Sequence, residues 1–338
     1  MNLDTFSSTI VKNVLVMALG VAINFINGTL IQTFRKHQVF YMNPRYILFI
    51  HLVINDIIQL TTSILLYIVL TLNVTLCILL VLLGMAANFN NPMTLAVMAL
   101  ECYIAVCYPL RHSQICTVKK TYIVIVFIWL VSAVYLVPDL FVAWASEPPE
   151  FFRSHVVCVR ANVLRLPYVR DKDKIFDAVL MAIVWLTLFY AYVRIIFTAK
   201  AAATDARKAR NTVLLHSFQL LLSMLTYVYY VIFYGLLTFF PNRAQDIRYA
   251  ITIFINIMPR LVSPLVYGLR DNSFRKYLKH HMFYKLYNFI HNSPIPCMFL
   301  KAALMVILLI YYFLFFISIR PTVCTIKPNN LHTNPISL

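Results

Sequence analysis

The chain predicts an all-α membrane protein, a bundle of seven transmembrane helices, and three observations carry that prediction. Seven long apolar runs fill residues 14–269 of a 338-residue chain. Apolar residues make up 61% of it and charged ones 12%, with a mean hydropathy of +0.77, whereas a soluble domain is about half apolar and a quarter charged. Lys and Arg collect in alternate loops, the pattern left by membrane insertion.

A helix needs roughly 20 apolar residues to cross about 30 Å of hydrocarbon. The runs place spans near 13–34, 46–71, 76–107, 121–143, 175–198, 211–239 and 248–269. Each must be helical, because lipid offers backbone groups no partners. The first span follows a short polar segment, residues 1–12. Its run is too long for a signal-peptide core and shows no small-residue cleavage site, so it reads as an uncleaved anchor. The loops after spans one, three and five, with the segment after span seven, hold sixteen basic residues, among them Arg35, Arg45, Arg111, Lys208, Arg210 and Arg270. The other side holds Lys12, Arg243 and Arg248 plus six in the long 139–174 segment. The crowded side is expected in the cytoplasm and the N-terminus outside, in a multi-pass plasma-membrane protein. The net charge of +17 then belongs to cytoplasmic loops, not to a nucleic-acid surface.

Two segments follow the receptor-sized unit at 13–269. Residues 270–293 interleave Arg270, Arg275, Lys276 and Lys279 with Phe274, Tyr277, Leu278 and Met282, the pattern of an amphipathic eighth helix on the inner leaflet. The tail, 294–338, contains an extra C-terminal hydrophobic segment, 302–319, whose only polar residue besides tyrosine is Ser318. An eighth span, an interfacial hairpin and a mis-spliced gene product all fit it.

Gly is scarce, and no phosphate loop, metal-ligand spacing or nucleophile–base constellation occurs. No enzyme, cofactor or metal site is expected. Charges at membrane depth are costly and face the bundle interior. Three are prominent: Asp56, Glu101 and Arg260. Asn256, Arg260, Ser263 and Tyr267 share one helix face, framed by Pro259 and Pro264. A buried charge left alone costs several kcal/mol, so Asp56 and Arg260 are expected to meet, directly or through Asn27, Asn91 or Ser263. The alternative is that Arg260 only caps carbonyls freed by the prolines. Asn73-Val74-Thr75 forms a glycosylation sequon in the first outer loop.

Residues 98–112 read MALECYIAVCYPLRH. This resembles the "MAxDRYVAIxxPLxY" segment that closes helix three of class A G-protein-coupled receptors, and the odorant-receptor branch most closely. Asn27-Gly-Thr-Leu is similar to "GNxxV", Leu52 to Asp56 to "LxxxD", and Pro259 to Asp271 to "PxLNPxIYSLRN". With the stretches 43–56 and 208–228, the chain looks like a teleost odorant receptor over residues 13–280.

The resemblance implies a receptor that binds a small odorant in the outer half of the bundle and activates a heterotrimeric G protein. Cys77 stands 24 residues before Glu101, where the family places the helix-three cysteine that bridges the second outer loop, which implies a Cys77–Cys158 disulfide. Gly84, Met85, Asn88 and Phe89 match pocket positions, and Tyr230, Phe233, Tyr234 and Ile253 are expected to join them. Asn27, Asp56, Asn91, Arg260, Ser263 and Tyr267 form the expected intramembrane polar switch. The family holds a sodium ion there, and the Arg260 guanidinium is expected in its place. Glu101, Cys102, Tyr103, Arg111, Lys208, Arg210 and Arg270 form the expected G-protein face. Several letters depart from the family. Cys102 replaces the motif Arg, Ser263 replaces Asn, and span six has no proline. Glu101, deprived of its neighbouring Arg, is expected to find Arg111, Lys208 or Arg210. A non-signalling receptor-like protein for trafficking or dimerisation, or a transporter or channel, remains the alternative.

Overall fold

The computed structural model describes residues 3–68, 71–158, 160–164, 167–201 and 229–261. Lys208, Arg210, Ser263, Tyr267, Arg270 and the segments 270–293 and 302–319 lie outside the described residues, as do the side chains of Tyr230 and Tyr234. The long helices are α1 (Leu3–Lys36), α2 (Pro44–Ile68), α3 (Val74–Cys107), α5 (Val118–Ser146) and α8 (Pro167–Ala201). Shorter ones are α4 (Pro109–Ile115), α6 (Pro149–Arg153), α7 (Arg160–Val163), α9 (Tyr229–Phe239) and α10 (Ala244–Ile251). After α10 the chain runs through a π-helical stretch, Thr252–Ile257, and continues as helix to residue 261. Among the described residues, α1, α2, α3, α5 and α8 are each long and apolar enough to cross a membrane.

α3 is the hub, packing on α2, α8 and α5. Its N-terminus is capped by Asn73, whose side chain accepts from the Thr75 backbone N–H at 2.9 Å, satisfying one orphan donor of the first turn. Pro92 sits inside α3 and removes the N–H that the carbonyl of Asn88 would otherwise accept. The main apolar core gathers Leu30, Phe49, Leu52, Phe89, Leu95, Val184, Leu188 and Ile195 from α1, α2, α3 and α8.

Two short strands appear that an all-helical reading of the sequence does not anticipate. β1 (Thr71–Asn73) pairs antiparallel with β2 (His155–Val157), Thr71 opposite Val157 and Asn73 opposite His155. The next residue, Cys158, closes the disulfide with Cys77 at a Cα–Cα distance of 5.6 Å. Strand pairing and disulfide together tie the loop between α5 and α8 to the start of α3. We call this end of the bundle the disulfide end, and the other the Glu101 end.

The helices outrun the hydropathy limits at one place that matters. α8 starts at Pro167, eight residues before the expected span, so Lys172 and Asp173 lie on a helix, not in a loop, beside Asp139 of α5. The charges are matched there. Lys172 donates to Asp139, and Arg160 of α7 reaches Asp173 at 2.5 Å and Asp139 at 3.7 Å. Hydropathy counts each charge as a cost, whereas paired charges are tolerated inside a bundle.

Candidate functional site

Asp56, on α2, is 3% exposed and Arg260 likewise 3%. Arg260 Nε lies 3.9 Å from Asp56 Oδ1. The same guanidinium donates through Nη1 to the carbonyls of Ile255 at 3.0 Å and Asn256 at 2.8 Å. A π-helical turn displaces carbonyls from their usual donors, and Arg260 takes two of them. The carbonyl cap and the carboxylate contact, set against each other in the sequence, coexist on one side chain.

From Asp56 a chain of amides runs toward the disulfide end. Asn91 Nδ2 donates to Asp56 Oδ1 at 3.0 Å and to Gln59 Oε1 at 3.2 Å. Gln59 Nε2 donates to Asn88 Oδ1 at 2.8 Å. Asn88, placed with the ligand pocket by sequence, is thus joined to Arg260 through Gln59, Asn91 and Asp56. Asn27 is fully buried, and neither of its amide atoms has a hydrogen-bond partner among the described residues. Gln59 escaped the sequence reading. Its signal was position: His51, Asn55 and Gln59 recur every four residues on the face that α3 covers.

A second polar network ties α2, α3 and α5. Trp129 Nε1–H donates to His51 Nε2 at 3.0 Å, and Thr94 Oγ1 lies 3.0 Å from His51 Nδ1. Thr94 donates its own hydroxyl proton to the Asn90 carbonyl at 2.7 Å, so it must accept from Nδ1–H, which assigns the tautomer. Ser132 donates to Asn90 Oδ1 at 2.6 Å.

At the other expected pocket positions the outcome is mixed. Phe89 is buried against Tyr135 and Phe176, with ring centroids 4.8 and 5.3 Å away. Met85 packs against the apolar core. A Cβ on Gly84 would lie 2.9 Å from Thr62 Oγ1, so Gly84 faces α2 and serves close helix approach. Phe233 packs with Ile247, Ile251 and Ile255. Ile253 packs on Val16, Ile23 and Leu60.

At the Glu101 end one of the expected partners is corrected, while Lys208 and Arg210 lie outside the described residues. Glu101 is met by Arg45, not Arg111: Arg45 Nε and Nη2 donate to its two oxygens at 2.9 and 3.1 Å. His112 Nε2 stands 3.0 Å from Glu101 Oε1. Arg111 is exposed. The short α4 begins at Pro109, and its first turn aims His112 at α3 while Arg111, about 100° round the helix, points away. Arg45 lies in the first turn of α2, whose packing on α3 brings the two together. Cys102 is buried at 3% exposure, and Tyr103 at 8% rests against Tyr108 and Tyr190, centroids 5.9 and 5.6 Å away. Asn73 Nδ2 and the Thr75 hydroxyl, the acceptor pair of the sequon, donate to the carbonyls of Arg153 and Phe152.

The model of the seven-transmembrane receptor family, rhodopsin type, matches residues 26–267. The chain belongs to the rhodopsin family of seven-transmembrane receptors. Its curated relatives include an odorant receptor of Danio rerio, Odorant receptor 131-2, at 30% identity over 82% of this chain and 87% of the relative. Olfactory receptor 5AK3 of Homo sapiens is 29% identical over 52% of this chain and 60% of its own length. Olfactory receptor 1500 of Rattus norvegicus is 26% identical over 54% and 60%. The receptor is therefore a multi-pass membrane protein with a seven-helix bundle, and its Cys77–Cys158 bridge joins α3 to the loop before α8.

Proposed function

We propose that this receptor is an odorant receptor of the plasma membrane, with its disulfide end extracellular and its Glu101 end facing a heterotrimeric G protein. A small organic ligand enters between α3 and the helices carrying Phe233 and Ile253, near Met85, Asn88 and Phe89. The observation that carries the reading is the amide chain from Asn88 to Asp56 and Arg260. It gives a ligand beside Asn88 a route to helix seven, because moving Asn88 disturbs the partners that hold Asp56. A ligand shifts a two-state bundle only by binding the two states unequally. The amide chain is short at the Asn88 end, 2.8 Å, and reaches 3.9 Å at the Arg260–Asp56 ion pair, so that pair is the contact a shift of helix seven would change most readily.

The guanidinium supplies at this depth the positive charge that the family otherwise draws from sodium. At the cytoplasmic end, Arg45 takes the role of Glu101's basic partner left open by Cys102, and Tyr103, Arg111, Lys208, Arg210 and Arg270 complete the G-protein face. The test is second-messenger output from cells that display the receptor at their surface, carry an olfactory-type G protein and receive an odorant panel. Dose-dependent cAMP, lost in Asn88→Ala, is the expected result. Silence with every G-protein class, from a receptor shown to bind its ligand, would leave the non-signalling reading in its place.

A further inference from the structure

A groove outside the proposed pocket opens sideways between α5 and α8, toward the hydrocarbon. Its cavity volume is about 500 Å³, and its walls include Phe127, Leu130, Val134, Tyr135, Lys172 and Phe176. That volume suits a small organic ligand. Phe127, Leu130 and Val134 are among the exposed apolar side chains of α5. The floor is aromatic. Tyr135 and Phe176 stack at 3.8 Å between centroids, and both rings touch Phe89 on α3. The polar end is Lys172, whose Nζ lies 4.1 Å over the Tyr135 ring.

The donors of Lys172 say what fits. An ammonium carries three. One goes to the Tyr135 carbonyl at 2.9 Å and one to Asp139. The third has no acceptor among the described residues, which leaves it for one in the groove that Lys172 lines. The charge balance narrows the acceptor further. Lys172 and Arg160 are matched by Asp139 and Asp173, so among the described residues the groove offers no excess positive charge to neutralise a carboxylate. We infer that the groove binds uncharged, apolar molecules carrying one oxygen acceptor, an ester, ketone or aldehyde, which reach it by partitioning into the outer leaflet. Contact through Tyr135 and Phe176 then bears on Phe89. The inference borrows from the odorant reading only its membrane orientation, since the groove stands on geometry.

The experiment uses the full-length receptor in phosphatidylcholine nanodiscs and diazirine-bearing methyl decanoate as a photoaffinity probe, with labelled peptides mapped by mass spectrometry. Saturable labelling is expected on the peptides spanning Leu130 to Pro138 and Lys172 to Phe176. Unlabelled methyl decanoate should compete, while decane should require about tenfold more, since a hydrogen bond from a charged donor is worth that factor or above. Decanoate should also require about tenfold more, since its charge would be desolvated without a neutralising partner. Val134→Trp fills the groove from a side chain that is 73% exposed, and it should cut labelling roughly tenfold. The competition series on the unaltered receptor stands independently of that variant's folding. Equal competition by decane and the ester, labelling spread over all lipid-facing helices, labelling confined to α3 and α9, or receptor-to-receptor crosslinks at the groove would each overturn the inference. The odorant response is scored separately. A receptor that signals without saturable labelling loses the groove and keeps its proposed function, and a labelled but silent one does the reverse.

Discussion

Arg260 holds two sets of acceptors at once, the carbonyls of Ile255 and Asn256 and the carboxylate of Asp56. Breaking a buried pair on one side costs roughly 3–5 kcal/mol. Arg260→Ala should therefore cut surface expression severely, and Asp56→Asn combined with Arg260→Gln should recover part of it, because the neutral pair leaves no charge stranded. Surface immunostaining of the two variants against wild type measures both. A double variant no better than the single one would mean that the carbonyl cap matters and the carboxylate contact does not. A further residue-scale outcome concerns Cys116, whose thiol is pushed up by burial and then by the Glu101 carboxylate, with Lys120 and Arg45 opposing. A raised pKa means less thiolate at neutral pH and slower alkylation. Glu101→Gln should speed maleimide modification of Cys116 at fixed pH, read by mass spectrometry.

Between elements, two ties hold the disulfide end. The Cys77–Cys158 bridge spans 81 residues, and removing a native disulfide typically costs about 2–5 kcal/mol. Cys77→Ser should lower the melting temperature of the detergent-purified receptor, and Cys158→Ser should add nothing further in the same chain. The second tie is the ion pair between Lys12 on α1 and Asp246 on α10. The hydrogen bond and charge of Lys12 hold Asp246 below the usual carboxylate range. With the folded pKa depressed, the pair contributes in full above the ordinary value of about 3.9 and its contribution fades as pH falls through the depressed one. Asp246 is open to solvent, so the effect should be small. Asp246→Asn should leave thermal stability near neutral pH almost unchanged and flatten only the acid limb of its pH profile.

At the scale of the whole molecule, orientation governs every functional statement. The sixteen basic residues counted on one side set the expectation that an epitope at the N-terminus is reached by antibody on intact cells. An epitope inserted between 202 and 206 should be reached only after permeabilisation. Reversed accessibility would put the Asn88 pocket in the cytoplasm and end the odorant reading.

Much of the architecture was legible without coordinates because lipid leaves the backbone few choices. An apolar run long enough to span must be a helix, so composition and run length determined the bundle, and Lys and Arg placement its expected orientation. The resemblance of the α3 letters to the family's motif marked Cys77, Glu101 and Cys102. Partners across the bundle were another matter, since spacing along a chain says which face a residue occupies and not which helix faces it. Glu101 met Arg45 from the first turn of α2, 56 residues away in sequence, where Arg111 looked nearer. Gln59 became a link only because α2 lies against Asn88 and Asn91 of α3. The charges at Lys172 and Asp173 delayed the start of the fifth span when counted singly and lie on its helix once paired with Asp139 and Arg160. Local pattern determined which segments cross the membrane. Only helix–helix packing decided which polar groups answer one another there, because a buried charge or amide is satisfied by whatever group the neighbouring helix presents.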